Sequence, residues 1–130
     1  ATTKDMYART KPQLIHADVH PWNVMWQGDD VAVFDFDDCV IGLPVQDIAV
    51  SLYYNDTDEQ DVAFTKGYQE IAELPEFSET EMFALLLQRR IFLLSYILET
   101  ENPEHRAMVP KYLEETLRRV NKTLGRLAAS

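Results

Sequence analysis

Two short clusters carry side chains able to do chemistry: His16-Ala17-Asp18-Val19-His20-Pro21-Trp22-Asn23 and Asp35-Phe36-Asp37-Asp38. In the first, Asp18 supplies a carboxylate that can accept a proton from a hydroxyl or orient that hydroxyl for attack. Asn23 follows five residues later in a loop fixed by Pro21, and its amide oxygen suits a hard divalent cation. In the second, three carboxylates within four residues repel one another unless a cation or hydrogen bonds neutralise them. Asp35 comes directly after the apolar run Val31-Ala32-Val33-Phe34, which reads as a half-buried strand whose end opens onto a site. Phosphoryl transfer calls for this combination, because its catalysis is mostly positioning and charge neutralisation.

Plainer roles exist for the same residues. Asp18 and Asn23 could make local turn hydrogen bonds, and the acids at 35–38 could form a solvated turn. That leaves His16 and His20 without a purpose. Zinc at His16, Asp18 and His20 would want the two histidines on one helix face, and Pro21 argues for a loop. An apolar strand ending in Asp-Phe-Asp also resembles the nucleophile loop of haloacid-dehalogenase-like phosphatases. That family needs further strand-borne motifs downstream, whereas everything after residue 45 reads as helix, and Asp38-Cys39 stands where small residues are expected.

The elements that position the clusters follow from pattern. Residues 1–12 read as a short helix end or connector, with Tyr7 packing, and residues 13–15 as a brief strand. Residues 23–27 and 31–36 are β-rich, and Gly28-Asp29-Asp30 between them has hairpin-turn chemistry; the hairpin would bring the two clusters together. Gly42-Leu43-Pro44 reads as a loop with Pro44 in the first turn of a helix. That helix runs to about Tyr54, and a second covers about 59–72 with Val62, Phe64, Tyr68, Ile71 and Ala72 mostly on one side. Ser78-Glu79-Thr80-Glu81 is a capping box. It opens a long helix to about Thr100, apolar nearly all round and so expected to be central and well covered. Asn102-Pro103-Glu104 reads as a turn. A last amphipathic helix over about 110–127 turns Tyr112, Leu113, Leu117, Val120, Leu124 and Leu127 inward. The fold class is α+β, mostly α: a small hairpin followed by four helices.

Charge narrows the partners. Residues 13–81 hold 16 Asp and Glu against one basic residue, Lys66, a net of −15 in a chain of formal charge −10. Such a field repels nucleic acid and anionic lipid and attracts cations, including amine-bearing substrates. One cysteine, Cys39, leaves no intramolecular disulfide framework or multi-cysteine zinc site and fits a cytoplasmic setting. The apolar stretch at 82–98 carries Gln88-Arg89-Arg90 at its centre, costly at mid-bilayer, so it is read as a buried helix and not a membrane segment, with Arg89 and Arg90 in structural pairs.

Together, H-A-D-V-H-P-W-N, V-F-D-F-D-D and P-V-Q-D-I-A resemble the aminoglycoside phosphotransferase and choline/homoserine kinase group, which shares the protein-kinase fold. The resemblance covers about 35 residues. It implies that Asp18 is the catalytic base and that Asn23 and Asp35 hold Mg²⁺. It implies that Asp47, near a helix start, braces the catalytic loop, that His16 anchors it, and that His20 and Asp37 lie near the nucleotide phosphates, metal or substrate. ATP or GTP would be the phosphoryl donor and a small-molecule hydroxyl, amine-bearing by the charge argument, the acceptor. The four glycines, at 28, 42, 67 and 125, form no G-x-G-x-x-G, and no lysine precedes the loop on a strand pattern. The 130 residues are therefore expected to be a single domain, the C-terminal catalytic lobe alone. The N-terminal nucleotide lobe would be absent, the isolated chain inactive, and the uncovered lobe surface prone to homodimerise. The alternative is a binding module that keeps the lobe without the chemistry.

Overall fold

The computed structural model describes residues 3–129, with backbone alone at Arg126, Leu127 and Ala129. In chain order come α1 (Thr3–Arg9), β1 (Gln13–Ile15), a 3-10 turn (Pro21–Asn23), β2 (Val24–Gln27), β3 (Asp30–Val33), β4 (Val40–Gly42), α2 (Pro44–Tyr53), α3 (Asp58–Ile71), α4 (Glu79–Glu99), α5 (Pro103–Ala107) and α6 (Val109–Ala129). The class is α+β, mostly α, as the pattern implied. Two compact units divide within α4, one through Leu85 and the other from Leu86. No helix of the described residues is long and apolar enough to cross a membrane.

The first unit holds both strand pairs. β2 and β3 form the expected antiparallel hairpin, with Val24 opposite Val33 and Gln27 opposite Asp30. Its turn is Gly28-Asp29, and Gly28 alone of the two takes positive φ, at 64°, which a type II′ hairpin turn requires of its first residue. Asp30 therefore joins the strand, while residues 34–36 leave it. The sequence pattern missed β4, which pairs with β1 in the register Leu14 opposite Ile41. Three residues are too few to show a period. Gly42 permits the pairing, since a Cβ there would sit 2.6 Å from Ile15 Cδ1 and 2.7 Å from Gln46 Oε1.

Under this pairing lie Met6, Ile15, Leu43, Val45, Ile48, Ala49 and Val50, all buried. Pro44 opens α2, and Gln46 Oε1 accepts from the Leu43 N–H at 2.7 Å and from the Tyr7 hydroxyl at 3.0 Å. Tyr7 is thus held by its hydroxyl, and its neighbour Met6 anchors α1 in the core. The hairpin itself is not half-buried as expected: Val31, Val33, Phe34 and Phe36 are all exposed. Likewise α3 has a Thr57–Gln60 capping box but no buried residue, and Ile71 is 90% exposed. An apolar stripe tells which face wants cover; it does not supply the cover.

In the second unit Arg90 is buried as a structural cation. Its Nε donates to Thr116 Oγ1 at 2.6 Å and its Nη2 to the Tyr112 carbonyl at 3.2 Å. The guanidinium stacks 4.1 Å from the Tyr112 ring centre, and the Tyr112 hydroxyl returns a bond to the Arg90 carbonyl. The rest of α4 is not covered all round, because Ile91, Phe92, Tyr96 and Leu98 are exposed. Leu113, Leu117 and Leu124 of α6 are also exposed, not inward; the Leu127 side chain lies outside the described residues. The expected turn at 102–104 opens a short helix, α5, capped by Asn102 Oδ1 accepting from the Glu104 N–H.

Glu81 ties the first unit together at the start of α4. It completes the capping box with Ser78 and takes both arms of Arg9 at 2.7 Å each, while only 3% of its side chain is exposed. These bonds hold its carboxyl down at about 2, against an ordinary 4.5. Because the folded value is the lower one, the stabilisation is complete above about 4.5 and is lost as pH falls toward 2. Thermal unfolding from pH 7 to 2 should show the wild-type midpoint dropping through that window. Glu81→Gln should start lower at pH 7 and change less across it; parallel curves would remove Glu81 as the cause.

Candidate active site

One carboxylate fixes the first cluster. Asp47, in the first turn of α2, accepts from the His16 N–H through Oδ2 at 2.9 Å and from the Ala17 N–H through Oδ1 at 2.7 Å. Two successive N–H groups can point at one acceptor because Ala17 adopts φ 65°, which gives the chain an anion-gripping curl. The helix start also favours a negative charge there. One turn further, the buried Ser51 hydroxyl donates to the Val19 carbonyl at 3.1 Å. Asp47, Ser51 and Tyr54 are spaced i, i+4, i+7, so one face of α2 and its C-terminal cap address the loop.

His16 links the two clusters. Its Nε2–H donates to the Phe34 carbonyl at 3.0 Å, and its Nδ1 accepts from the Asp18 N–H at 3.3 Å; these two bonds together select the Nε2–H tautomer. Its ring lies 4.8 Å from that of Phe36. The Phe34 N–H donates to the Asn23 carbonyl at 3.1 Å. Hairpin register and these bonds bring residues 16–23 and 34–36 into one place.

At the centre, Asn23 Nδ2 donates to the Asp18 carboxylate at 3.1 Å and to the Asp18 carbonyl at 3.0 Å. Asn23 is 5% exposed, so its amide is locked with the nitrogen toward Asp18 and the oxygen toward the other side. His20 Nε2 stands 3.3 Å from the same carboxylate oxygen, Asp18 Oδ2. Asp35 follows the strand end at φ 63°, a left-handed conformation uncommon for a residue with a side chain, and its side chain is exposed. Asp37 and Asp38 are exposed in the turn closed by the Cys39 N–H to Phe36 carbonyl bond, and neither is drawn into the bonded centre with Asp18 and Asn23.

No three His, Cys, Asp or Glu side chains converge on a cation position among the described residues. A closed protein cage is therefore absent. The two clusters do supply an Asn oxygen and an Asp carboxylate, both of the hard donor type that Mg²⁺ would take.

Sequence reading found Asp18, Asn23, Asp35, Asp47 and His16 as residue types. It did not find Ser51 or Tyr54, although counting helical turns from Asp47 would have flagged both. It also placed no partner on Asp18, where Asn23 and His20 both stand.

A profile of the Phosphotransferase enzyme family matches residues 3–83. Amicoumacin kinase of Bacillus subtilis (strain 168) is 38% identical over an aligned stretch covering 47% of this chain and 22% of that protein. Among solved structures, amicoumacin kinase hAmiN in complex with AMP-PNP, Ca²⁺ and Ami superposes with a TM-score of 0.67 at 21% identity, covering 90% of this chain and 42% of that one. The likeness of backbone establishes a shared fold. The chain spans less than half the length of either relative.

The Asp47 clamp makes a stability claim. Asp47→Ala leaves two N–H groups facing a carboxylate that is gone, which should cost about 1–3 kcal/mol. Asp47→Asn keeps one acceptor and places an amide N–H₂ against the other donor, so it should recover less than half of the loss. Urea unfolding measures both; an Asn variant as stable as wild type would show that only one of the two bonds matters.

Proposed function

The chain belongs to the phosphotransferase enzyme family, and from that premise we propose that it forms the C-terminal catalytic lobe of an ATP-dependent kinase acting on the hydroxyl of a small molecule. The observation that carries this reading is the Asp18 carboxylate: Asn23 Nδ2 fixes it from one side, and Asp47 grips the backbone immediately before it. A carboxylate so held has one orientation to offer an incoming hydroxyl.

Asp18 accepts the hydroxyl proton as attack proceeds, or aligns the oxygen for it. Asn23 presents its oxygen and Asp35 its carboxylate as the groups that would hold Mg²⁺. When bound, that cation would neutralise charge that develops on the transferring phosphoryl group. The Asn23 amide would thus use both ends, because its nitrogen is engaged by Asp18 and its oxygen is left for a cation. Asp37, exposed in its turn, is assigned to the neighbourhood of the phosphates. ATP is taken as donor, with GTP not distinguished by any residue of this lobe. The nucleotide would be covered by a second lobe, and the exposed apolar hairpin residues Met25, Trp26, Val31 and Val33 are read as part of the surface that lobe meets. In its absence, two copies of this chain would pair through the same surface.

Two measurements test this. In the full-length protein with ATP and Mg²⁺, Asp18→Ala should lower phosphorylation of a small-alcohol panel by roughly 10²–10⁴. A rate within a few-fold of wild type would show that Asp18 is not the base. The 130 residues alone should bind ATP no better than weakly by calorimetry; micromolar affinity would mean that this lobe holds the nucleotide by itself.

A further inference from the structure

His16 uses both of its ring nitrogens in bonds that shape the loop. His20 does not, and the difference points to a separate role. His20 follows directly on Val19, whose carbonyl the Ser51 hydroxyl holds, and its own carbonyl accepts from the Asn23 N–H at 2.9 Å. Its ring is set edge-on against Trp22 at 5.5 Å and Tyr54 at 5.1 Å, the geometry that aromatic pairs favour, and its side chain is only 16% exposed. Nδ1 is buried and meets no hydrogen-bond partner among the described residues. Nε2 stands 3.3 Å from Asp18 Oδ2. Among the described residues, the polar contact of this ring is thus with the candidate base.

That contact has a direction. In a neutral imidazole one nitrogen carries the hydrogen and the other a lone pair. A hydrogen on Nδ1 would be buried without an acceptor, and the Nε2 lone pair would then face a carboxylate. A hydrogen on Nε2 removes that repulsion and gives the hydrogen an anionic acceptor, so the surroundings select the Nε2–H form. Asn23 Nδ2 donates to the same oxygen at 3.1 Å. A carboxylate held by one donor can still turn about its Cβ–Cγ bond, whereas two donors from different residues fix its plane. The two donors are themselves tied, through the bond between the His20 carbonyl and the Asn23 N–H.

We propose that His20 is a positioning residue for phosphoryl transfer, its Nε2–H holding the Asp18 carboxylate in the orientation that meets the acceptor hydroxyl. The proposal rests on the phosphotransferase reading and adds to it a second side chain on which the base depends. His20 acts through Asp18, so its loss lowers turnover and leaves the binding of acceptor and nucleotide little changed. Trp22 and Tyr54 serve the same end by keeping the imidazole edge toward the carboxylate.

The test uses the full-length protein with ATP, Mg²⁺ and the fastest acceptor from a small-alcohol panel that includes glycerol, D-ribose and L-homoserine. His20→Phe keeps a ring against Trp22 and Tyr54 and removes the donor. His20→Gln removes the ring and can return an amide N–H to the place of Nε2. His20→Phe should lower kcat roughly 10- to 100-fold, the worth of a hydrogen bond to a charged acceptor, with both KM values within about three-fold and His20→Gln recovering kcat to within about five-fold of wild type. Wild-type kcat in His20→Phe would overturn the proposal. So would His20→Phe outperforming His20→Gln, the mark of a ring that only packs. Nitrogen-15 spectra of histidine-labelled wild type give a readout that depends on no variant's activity: His20 should carry its hydrogen on Nε2, and a hydrogen on Nδ1 alone refutes the contact. The two readings fail separately. Full turnover in His20→Phe removes the positioning role and leaves the kinase, whereas transfer to no alcohol of the panel removes the kinase reading and this role with it.

Discussion

Everything around the candidate base depends on one carboxylate gripping two consecutive backbone N–H groups. Asp47 takes those of His16 and Ala17, and the grip requires Ala17 to stand at φ 65°. For alanine that conformation costs about 1–2 kcal/mol. Hydrogen bonds to a charged acceptor contribute roughly 1.5–3 kcal/mol each, so two of them outweigh the strain. The loop is therefore held in a shape that it would not adopt by itself. Asp18, the next residue, inherits its direction from that shape. Since Asp47 is on α2, and α2 is anchored in the core through Val45, Ile48 and Ala49, the precision of the loop derives from ordinary apolar packing beneath it.

A second strained residue lies across the site. Asp35 takes φ 63° at the point where β3 has ended, and its neighbour Phe34 is bonded on both sides, to Asn23 and to His16. Sparsely populated backbone conformations persist where the surroundings over-determine them. Both non-glycine residues with positive φ among those described are in the two clusters singled out from their side chains. Backbone and side chain thus point independently to the same place, a stronger argument than either offers separately.

How much of this was legible beforehand varied with the kind of information needed. The hairpin, its turn at Gly28, the capping box at Ser78, and the run of helices are local properties of short stretches, and pattern reveals them. The β1–β4 pairing joins segments far apart in sequence through three residues each, with no period to read. Burial was misjudged at the hairpin, on α3, and along α4 and α6, because amphipathicity records what a face is suited to bury and not what this chain provides to cover it. Within the site, residue types were readable while pairings were not. Asn23 could be singled out as a candidate cation ligand from its spacing, but its hold on Asp18 is a matter of which way an amide is turned. Ser51 and Tyr54 were hidden for another reason: they look like ordinary helix residues until Asp47 fixes which face of α2 addresses the loop.

That face of α2 carries an argument of its own. Asp47 acts on the backbone before Asp18, Ser51 on the Val19 carbonyl after it, and Tyr54 on the rings of His20 and Trp22 beyond. Three successive contacts along one helix and its cap thus follow the loop from the backbone before Asp18 toward the exposed Trp22. A single rigid element sets the distance between them. Were Trp22 only a stray apolar side chain, nothing would require it to be packed edge-on by two other rings while most of its surface stays wet. Ordering a large side chain costs conformational entropy that burial would normally offset, and here burial contributes little. The contacts with His20 and Tyr54 hold one orientation of the indole, and that orientation is set by the same helix that sets Asp18.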